Sequence, residues 1–167
     1  MLKTKFIYGL IGKEIDYSFS RKYFNRKFKK EGLVNNLYKN FDCENLTQAV
    51  ETLKQKNIKG LNVTIPYKEK IIPYLDNLSK EAKDIMAVNT ISFSKQGKLI
   101  GYNTDCYGFQ KSLFEKINKK NKKNALILGT GGASKAIRYI LKENSIKYRT
   151  VSRKRNKGDY IYIELDR

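Results

Sequence analysis

The spacing of apolar and polar residues divides the first part of the chain into strands and helices that follow one another. A continuous apolar run predicts a buried strand at residues 6–11. Further strands are predicted at residues 34–41 and 60–65. A helix is expected over residues 21–31, and apolar positions at helical spacing predict a second helix over residues 45–56.

Capping residues and helix breakers indicate where these helices begin and end. We expect Ser20 to cap the first helix, because a side-chain oxygen can accept from the free amides of a helix start. Gly32 is expected to end that helix, and Asn45 or Thr47 to open the second. Shorter elements are predicted next: a helix from Tyr67, a helix from Ser79, a hairpin of strands at residues 89–93 and 98–102, and a helix capped by Thr104 or Asp105 that reaches Ile117.

A lysine-rich segment at residues 119–124 leads into a second unit. This unit consists of a strand, a glycine-rich turn, a helix to about residue 144 and a strand at 148–151, with a further strand at 160–163. Strands that alternate with helices indicate an α/β architecture. We therefore predict an N-terminal α/β domain with a mainly parallel sheet, followed by the start of a Rossmann-like dinucleotide-binding domain.

The second unit is short for a domain of this kind. A doubly wound dinucleotide-binding domain has about six strands, and this sequence supplies two or three. We therefore expect the chain to be an N-terminal fragment of a longer protein, with an exposed sheet edge and severely weakened activity.

The formal net charge of +19 on 167 residues raises the possibility of nucleic-acid binding, because clustered Lys and Arg release counterions from phosphates. Here the cations are spread over every segment, which is typical of solvated faces rather than of a binding groove. We expect no nucleic-acid partner. The charge would instead attract anionic substrates and cofactors.

Hydrophobic runs and cysteines indicate the cell compartment. No stretch approaches the about 18 consecutive apolar residues of a membrane span, and the N-terminus lacks the pattern of a signal peptide. Cys43 and Cys106 lie far apart and without metal-ligand spacing, so two free thiols in a reducing environment are expected. We predict a cytoplasmic protein with no metal site and no membrane partner.

Four short motifs carry the candidate chemistry: NVTIPYK at 62–68, AVNT at 87–90, GYNTD at 101–105 and LILGTGGA at 126–133. Lys68 follows a strand and Asp105 begins a helix, so they are candidates for a proton-transfer pair in a chain with no histidine. In the last motif, Gly129 permits a tight turn and Gly131 lets backbone amides approach a pyrophosphate. The helix that follows directs its N-terminal dipole at the same charge.

The end of the next strand indicates which dinucleotide binds. An NAD site places Asp or Glu about 20 residues after the turn, whereas this chain has the basic sequence SRKR at 152–155. Three cations there suit a 2′-phosphate, so NADP is favoured. The predicted cofactor-binding residues are Gly129, Thr130, Gly131, Gly132, Ala133, Ser152, Arg153 and Lys154.

Together with GLIG at 9–12 and SFS at 18–20, these motifs in this order resemble the shikimate dehydrogenase family. The resemblance implies a shikimate-binding catalytic domain over residues 1–105 and a partial NADP-binding Rossmann domain over 106–167. It also implies that Lys68 and Asp105 are catalytic, and that Asp105 contacts a substrate hydroxyl as well. The remaining substrate-binding residues that it implies are Ser18 and Ser20 for the carboxylate, and Thr64 and Asn89 for the ring hydroxyls.

The family's activity is the NADPH-dependent, reversible reduction of 3-dehydroshikimate to shikimate in chorismate and aromatic amino-acid biosynthesis. The resemblance thus implies an oxidoreductase with a small-molecule substrate, acting as a monomer or homodimer. Two departures from the family pattern are Arg21, where a proline is usual, and Phe24, where a histidine is common. A quinate/shikimate dehydrogenase and a non-catalytic, substrate-binding remnant stay open as alternatives.

Overall fold

Two β-sheets organise the protein. The computed structural model describes residues 6–117 and 124–165. The first sheet consists of β1 (Phe6–Gly12), β2 (Asn36–Asp42), β3 (Ile58–Val63), β4 (Asn77–Leu78), β5 (Thr90–Phe93) and β6 (Leu99–Tyr102). Across the sheet the order is β2-β1-β3-β5-β6-β4. Strands β1, β2 and β3 run parallel, whereas β5 is antiparallel to both β3 and β6.

The second sheet is smaller and entirely parallel. It consists of β7 (Ala125–Leu128), β8 (Tyr148–Ser152) and β9 (Tyr160–Ile161), in that order. The five α-helices of the described residues are α1 (Ser20–Lys30), α2 (Leu46–Leu53), α3 (Lys80–Ile85), α4 (Asp105–Lys116) and α5 (Gly132–Glu143). The predicted α/β fold with a mainly parallel first sheet is therefore confirmed.

The main core lies against the first sheet. Its fully buried members include Ile11, Val63, Ile71 and Ile91. A separate cluster, which we call the helix junction, joins α3, α4 and α5 through Ile85, Ala87, Cys106, Ala136 and Ile140. Among the described residues, no helix combines the length and hydrophobicity that crossing a bilayer requires.

The strand directions bring several loops to one edge of the first sheet. Parallel strands β1 and β3 end at this edge, since Ile11 pairs with Val63. The antiparallel strand β5 begins there, because Thr90 pairs with Asn62 of β3 and with Tyr102 at the end of β6. The segments that follow β1, β3 and β6, and the one that precedes β5, therefore meet at a single edge, as in other α/β sheets whose sites lie at strand ends.

Several predicted element ends differ from the structure. The second strand begins at Asn36 rather than Val34, because residues 32–35 form a hydrogen-bonded turn after α1 in which Val34 N donates to Gly32 O. Strand β3 ends at Val63, before the cis peptide bond between Ile65 and Pro66. The predicted helix from Tyr67 is wrong, because the chain forms turns and then a 3₁₀ helix at Ile72–Tyr74, where Pro73 lacks the amide that an α-helix interior needs.

Of the remaining predictions for helix ends and strand ends, some are confirmed and others are wrong. Gly32 follows α1 with a φ of +69°, and Asn45 rather than Thr47 caps α2 by accepting from Gln48 N at 3.1 Å. Ser20 does not cap α1, because it is the first helical residue and its amide donates instead to Ser18 Oγ. The last strand ends at Ile161, two residues earlier than predicted. The lysine-rich segment lies outside the described residues except for its last member, Asn124.

We expect Gly101→Ala to lower the free energy of unfolding by about 1–3 kcal/mol, the usual cost of overpacking. A Cβ at this position in β6 would lie 2.7 Å from Leu75 Cδ1 and 2.8 Å from Val88 Cγ2. The control is Gly108→Ala in α4, where a Cβ meets no atom within 4 Å and where alanine favours the helix by up to about 1 kcal/mol. Urea unfolding midpoints measure both changes, and equal midpoints would contradict the packing argument.

Candidate active site

A half-buried ion pair lies at the sheet edge where the four segments meet. Lys68 Nζ is 2.6 Å from Asp105 Oδ2, and the two side chains are 15% and 36% exposed. Lys68 lies five residues beyond the end of β3, and its carbonyl oxygen accepts from Val88 N at 2.7 Å. The two residues are far apart in the sequence, and the strand order alone brings them together.

Asn89 fixes the carboxylate of Asp105. Its buried side chain donates from Nδ2 to Asp105 Oδ1 at 2.6 Å and to Thr104 Oγ1 at 3.0 Å. Its Oδ1 accepts from Thr104 N at 2.9 Å. Both carboxylate oxygens of Asp105 are thus engaged, one by an ammonium and one by an amide. This arrangement holds the lysine amine in one place at the start of α4.

The predicted side-chain cap of α4 is wrong, and the carboxylate of Asp105 binds Lys68 instead. Neither Thr104 nor Asp105 caps the helix with its side chain. Asn103 does so instead, because its Oδ1 accepts from Cys106 N at 3.3 Å. Asp105 is still in the first turn of α4, where the helix dipole favours a negative charge.

Ser18, Ser20 and Thr64 lie at the same edge, and in the part of the chain that the structure describes no hydrogen bond is recorded between them and the ion pair. Ser18 and Ser20 lie in the segment after β1, while Thr64 N donates to Ile11 O at 2.8 Å. All three are partly exposed. Within the described residues, the structure records no hydrogen bond from the hydroxyls of Ser20 or Thr64, so both can bind a ligand. Gly12 permits the close approach of these segments, since a Cβ there would lie 2.5 Å from Thr64 Cγ2.

The glycine turn forms the opposite wall of a cleft of about 550 Å³ above Lys68. Gly129 adopts a φ of +115°, which only glycine tolerates readily, and Gly131 precedes α5. A Cβ at Gly132 would lie 3.4 Å from Lys68 Cβ, so the start of α5 is in contact range of the lysine. The lining of this cleft includes Thr64, Lys68, Gly129, Gly131, Gly132 and Ala133.

A second groove of about 530 Å³ continues from the glycine turn towards the end of β8. The two grooves share Gly129, Gly131 and Glu69. The second is also lined by Thr130, Ser152, Arg153 and Lys154, all predicted cofactor residues. Exposed amides at a helix start, followed by a basic rim, fit a pyrophosphate and a further phosphate. The chain therefore has a continuous groove whose residues suit a phosphorylated dinucleotide.

The third cation of this rim is not the predicted one. Arg155 Nη2 lies 2.6 Å from Glu164 Oε1, and Arg155 does not line the groove. Lys157 lines it instead, together with Tyr162. Residues Arg155–Lys157 form a 3₁₀ helix, which turns the first cation away and brings the last one towards the groove.

Two further residues beside the grooves were not predicted from the sequence. Glu69 Oε2 lies 2.6 Å from Lys135 Nζ, and this pair links the segment after β3 to α5 beside both grooves. The partners are 66 positions apart, so no local pattern indicates the contact. Within the described part of the chain, no cluster of three or more His, Cys, Asp or Glu side chains could hold a metal ion.

Comparison with known proteins shows the family to which the chain belongs. A model described as the shikimate dehydrogenase substrate binding domain matches residues 10–91. The shikimate dehydrogenase (NADP(+)) of Pyrococcus abyssi is 45% identical over 135 residues, which are 81% of this chain and 50% of that protein. The chain belongs to the shikimate dehydrogenase family. It spans about half the length of the curated shikimate dehydrogenases that it matches.

Solved shikimate dehydrogenases share the fold of the whole described chain. Shikimate dehydrogenase 1 of Peptoclostridium difficile superposes with a TM-score of 0.85 at 36% identity, covering 96% of this chain and 63% of that one. Shikimate 5-dehydrogenase of Thermus thermophilus, solved in complex with NADP(H) and shikimate, gives a TM-score of 0.80 at 31% identity, covering 92% and 58%. Both sheets of this chain therefore follow the family architecture.

We expect Asn89→Ala to destabilise the fold by about 1–3 kcal/mol, because a buried side chain loses several hydrogen bonds, each with a net value of about 0.5–1.5 kcal/mol. The amide of Thr104 and one oxygen of Asp105 lose their contacts in this variant. Asn77→Ala is the control, since Asn77 is exposed in β4 and such surface changes stay within about 0.5 kcal/mol. Urea unfolding measures both, and an Asn89→Ala midpoint equal to that of the control would argue against the network.

Proposed function

We propose that this chain serves the NADPH-dependent, reversible reduction of 3-dehydroshikimate to shikimate, a step of chorismate and aromatic amino-acid biosynthesis. The observation that carries the proposal is the 2.6 Å contact of Asp105 with Lys68, which lines a cleft whose other wall is the glycine turn. The ligands of the Thermus thermophilus relative, NADP(H) and shikimate, are the substrate and cofactor classes that such a cleft suits.

Lys68 is the proton donor of this proposal. In the direction of reduction, the ketone oxygen must gain a proton as its carbon is reduced, and the ammonium of Lys68 gives that proton. In the direction of oxidation, the neutral amine takes the proton of the alcohol. Asp105 holds the amine at 2.6 Å, and positioned acid–base groups of this kind contribute about 10²–10⁴-fold to the rate.

The hydroxyl and amide groups at the same edge recognise the substrate. Ser18 and Ser20 donate to the substrate carboxylate, which two short hydroxyls can bind without adding charge. Thr64 and the carboxylate of Asp105 bond the ring hydroxyls. Asn89, whose two amide protons are donated to Thr104 and Asp105, holds that carboxylate in place. Neutral donors and acceptors reject analogues that lack these hydroxyls, because the polar groups of the site would then be unpaired.

The glycine turn and the basic rim hold the cofactor. When bound, NADPH supplies the hydride for the reduction. Gly129 and Gly131 let the backbone approach the pyrophosphate, and the dipole of α5 attracts its charge. Arg153, Lys154 and Lys157 line the groove in which a 2′-phosphate fits.

We place the boundary between the substrate and cofactor domains at Asp105. Residues 6–102 contain every strand of the first sheet, and β7 to β9 form the second. Helix α4 begins at Asp105 and packs on α5 through the helix junction. Lys68 thus lies in the substrate domain, and Asp105 lies at its boundary with the cofactor domain.

Lys68→Ala should lower the rate of NADPH formation from NADP⁺ and shikimate by about 10²–10⁴-fold, the contribution of a positioned acid–base group. Lys70→Ala is the matched control, because Lys70 is an exposed lysine two positions away. Cofactor absorbance measures the rates, and titration calorimetry with shikimate shows whether each variant still binds it.

Three results would count against the proposal. A Lys68→Ala rate equal to that of Lys70→Ala would remove Lys68 from the chemistry. A wild-type rate that is higher with quinate than with shikimate would favour a quinate/shikimate dehydrogenase. Shikimate binding by wild type without any turnover would indicate a chain that binds substrate and does not convert it.

Arg153→Ala should weaken the binding of NADPH by roughly tenfold and that of NADH much less, because the side chain is assigned to the 2′-phosphate. Arg155→Ala is the control, since the guanidinium of Arg155 is bound to Glu164 and lies outside the groove. Calorimetric titration with each cofactor gives the four affinities. An equal loss for NADPH and NADH in Arg153→Ala would refute the assignment.

A further inference from the structure

We propose that Tyr38 is a positioning residue for the Lys68–Asp105 pair, acting through Asn62, and this inference rests on the proposed function. Tyr38 lies in the middle of β2 and contacts neither member of the pair. Its hydroxyl donates to Asn62 Oδ1 at 2.8 Å. Asn62, the first residue of the NVTIPYK motif, thus accepts a hydrogen bond from β2.

The ring of Tyr38 is held rigidly. The residue is only 3% exposed and its ring stacks on Phe24, with centroids 4.7 Å apart and planes inclined by 14°. The side chain of Asn25 accepts from Tyr38 N at 2.8 Å and donates to Tyr38 O at 2.9 Å. Burial raises the pKa of the Tyr38 phenol, so the hydroxyl keeps its proton and acts as a donor.

The bond from Tyr38 helps to fix which way the Asn62 amide faces. Because Asn62 Oδ1 accepts the hydroxyl proton, Nδ2 faces the other side, where it donates to Asn89 O at 3.4 Å and to Thr90 Oγ1 at 3.3 Å. The carbonyl of Asn89 accepts from Nδ2 and so favours the same orientation, but without the hydroxyl nothing on the β2 side would hold Oδ1. Tyr38 therefore reinforces the orientation of Asn62 that supports Asn89.

The support reaches the ion pair in two more hydrogen bonds. Thr90 Oγ1 donates to Asn89 Oδ1 at 3.0 Å, and Asn89 Nδ2 donates to Asp105 Oδ1 at 2.6 Å. Asp105 in turn holds Lys68. A continuous path of hydrogen bonds thus runs from α1, which carries Asn25, to the proposed proton donor.

Tyr38→Phe tests the inference, because it keeps the stacked ring and removes only the hydroxyl. Tyr8→Phe is the matched control. Tyr8 is paired with Tyr38 across β1 and β2 and packs on Phe28. Within residues 6–117 and 124–165, the structure records no hydrogen bond from the Tyr8 hydroxyl. We expect kcat/KM for shikimate to fall by roughly two- to tenfold in Tyr38→Phe, the range of one net hydrogen bond, and to stay unchanged in Tyr8→Phe.

A double-mutant cycle separates positioning from packing. In an Asn62→Ala background, Tyr38→Phe should cause no further loss of kcat/KM, because the hydroxyl acts only through Asn62. The same loss in both backgrounds would show that Tyr38 merely supports the core, and would overturn the proposal.

Side-chain amide exchange gives a readout that is independent of turnover. By NMR, the Asn89 Nδ2 protons should exchange with water roughly two- to tenfold faster in Tyr38→Phe than in wild type or Tyr8→Phe, since one hydrogen bond of the path is lost. If the wild-type protein neither binds nor converts shikimate, the proposed function fails, and this exchange rate alone decides the role of Tyr38. Equal exchange in all three proteins would overturn it.

Discussion

A lysine ammonium and an aspartate carboxylate, 2.6 Å apart and partly removed from water, are the constraint around which this structure is built. Removing charges from water is costly unless further hydrogen bonds satisfy both ions. Asn89 provides one to Asp105, and Asn89 is itself held by Thr90 and Asn62. The neutral polar residues of this edge therefore stabilise a charged pair beside a cleft that is open to a ligand.

The strand order explains how a few short segments place the side chains of the site at one edge of the sheet. A purely parallel sheet would place only the ends of its strands at the functional edge, with a crossover between each pair. Here β5 runs antiparallel, so the start of β5 reaches the same edge as the end of β3. The reversal brings Asn89 beside Lys68, and the hairpin to β6 returns the chain to Asp105 within a few residues.

Local patterns predicted what depends on local chemistry. Most strands and helices, the Asn45 cap and the glycine turn before α5 follow from residues that are neighbours in the sequence. The family motifs indicated Lys68 and Asp105, although composition alone would have treated them as surface residues. The sequence did not indicate the bond from Tyr38 to Asn62, because it joins different strands. The expectation that Arg155 is one of three cations for a 2′-phosphate was also wrong, because Arg155 binds Glu164 in a later 3₁₀ helix.

The helix junction has a thermal consequence. The contact between the substrate side and the helix of the glycine turn is made mostly of hydrocarbon, from Ile85 and Ala87 on one side to Ala136 and Ile140 on the other. Apolar contacts of this kind weaken as water cools. The Glu69–Lys135 bridge spans the same contact, but its side chains are partly exposed, so it adds little to the attachment. Cooling should therefore loosen the attachment of α5, and with it the wall formed by the glycine turn, to the substrate side.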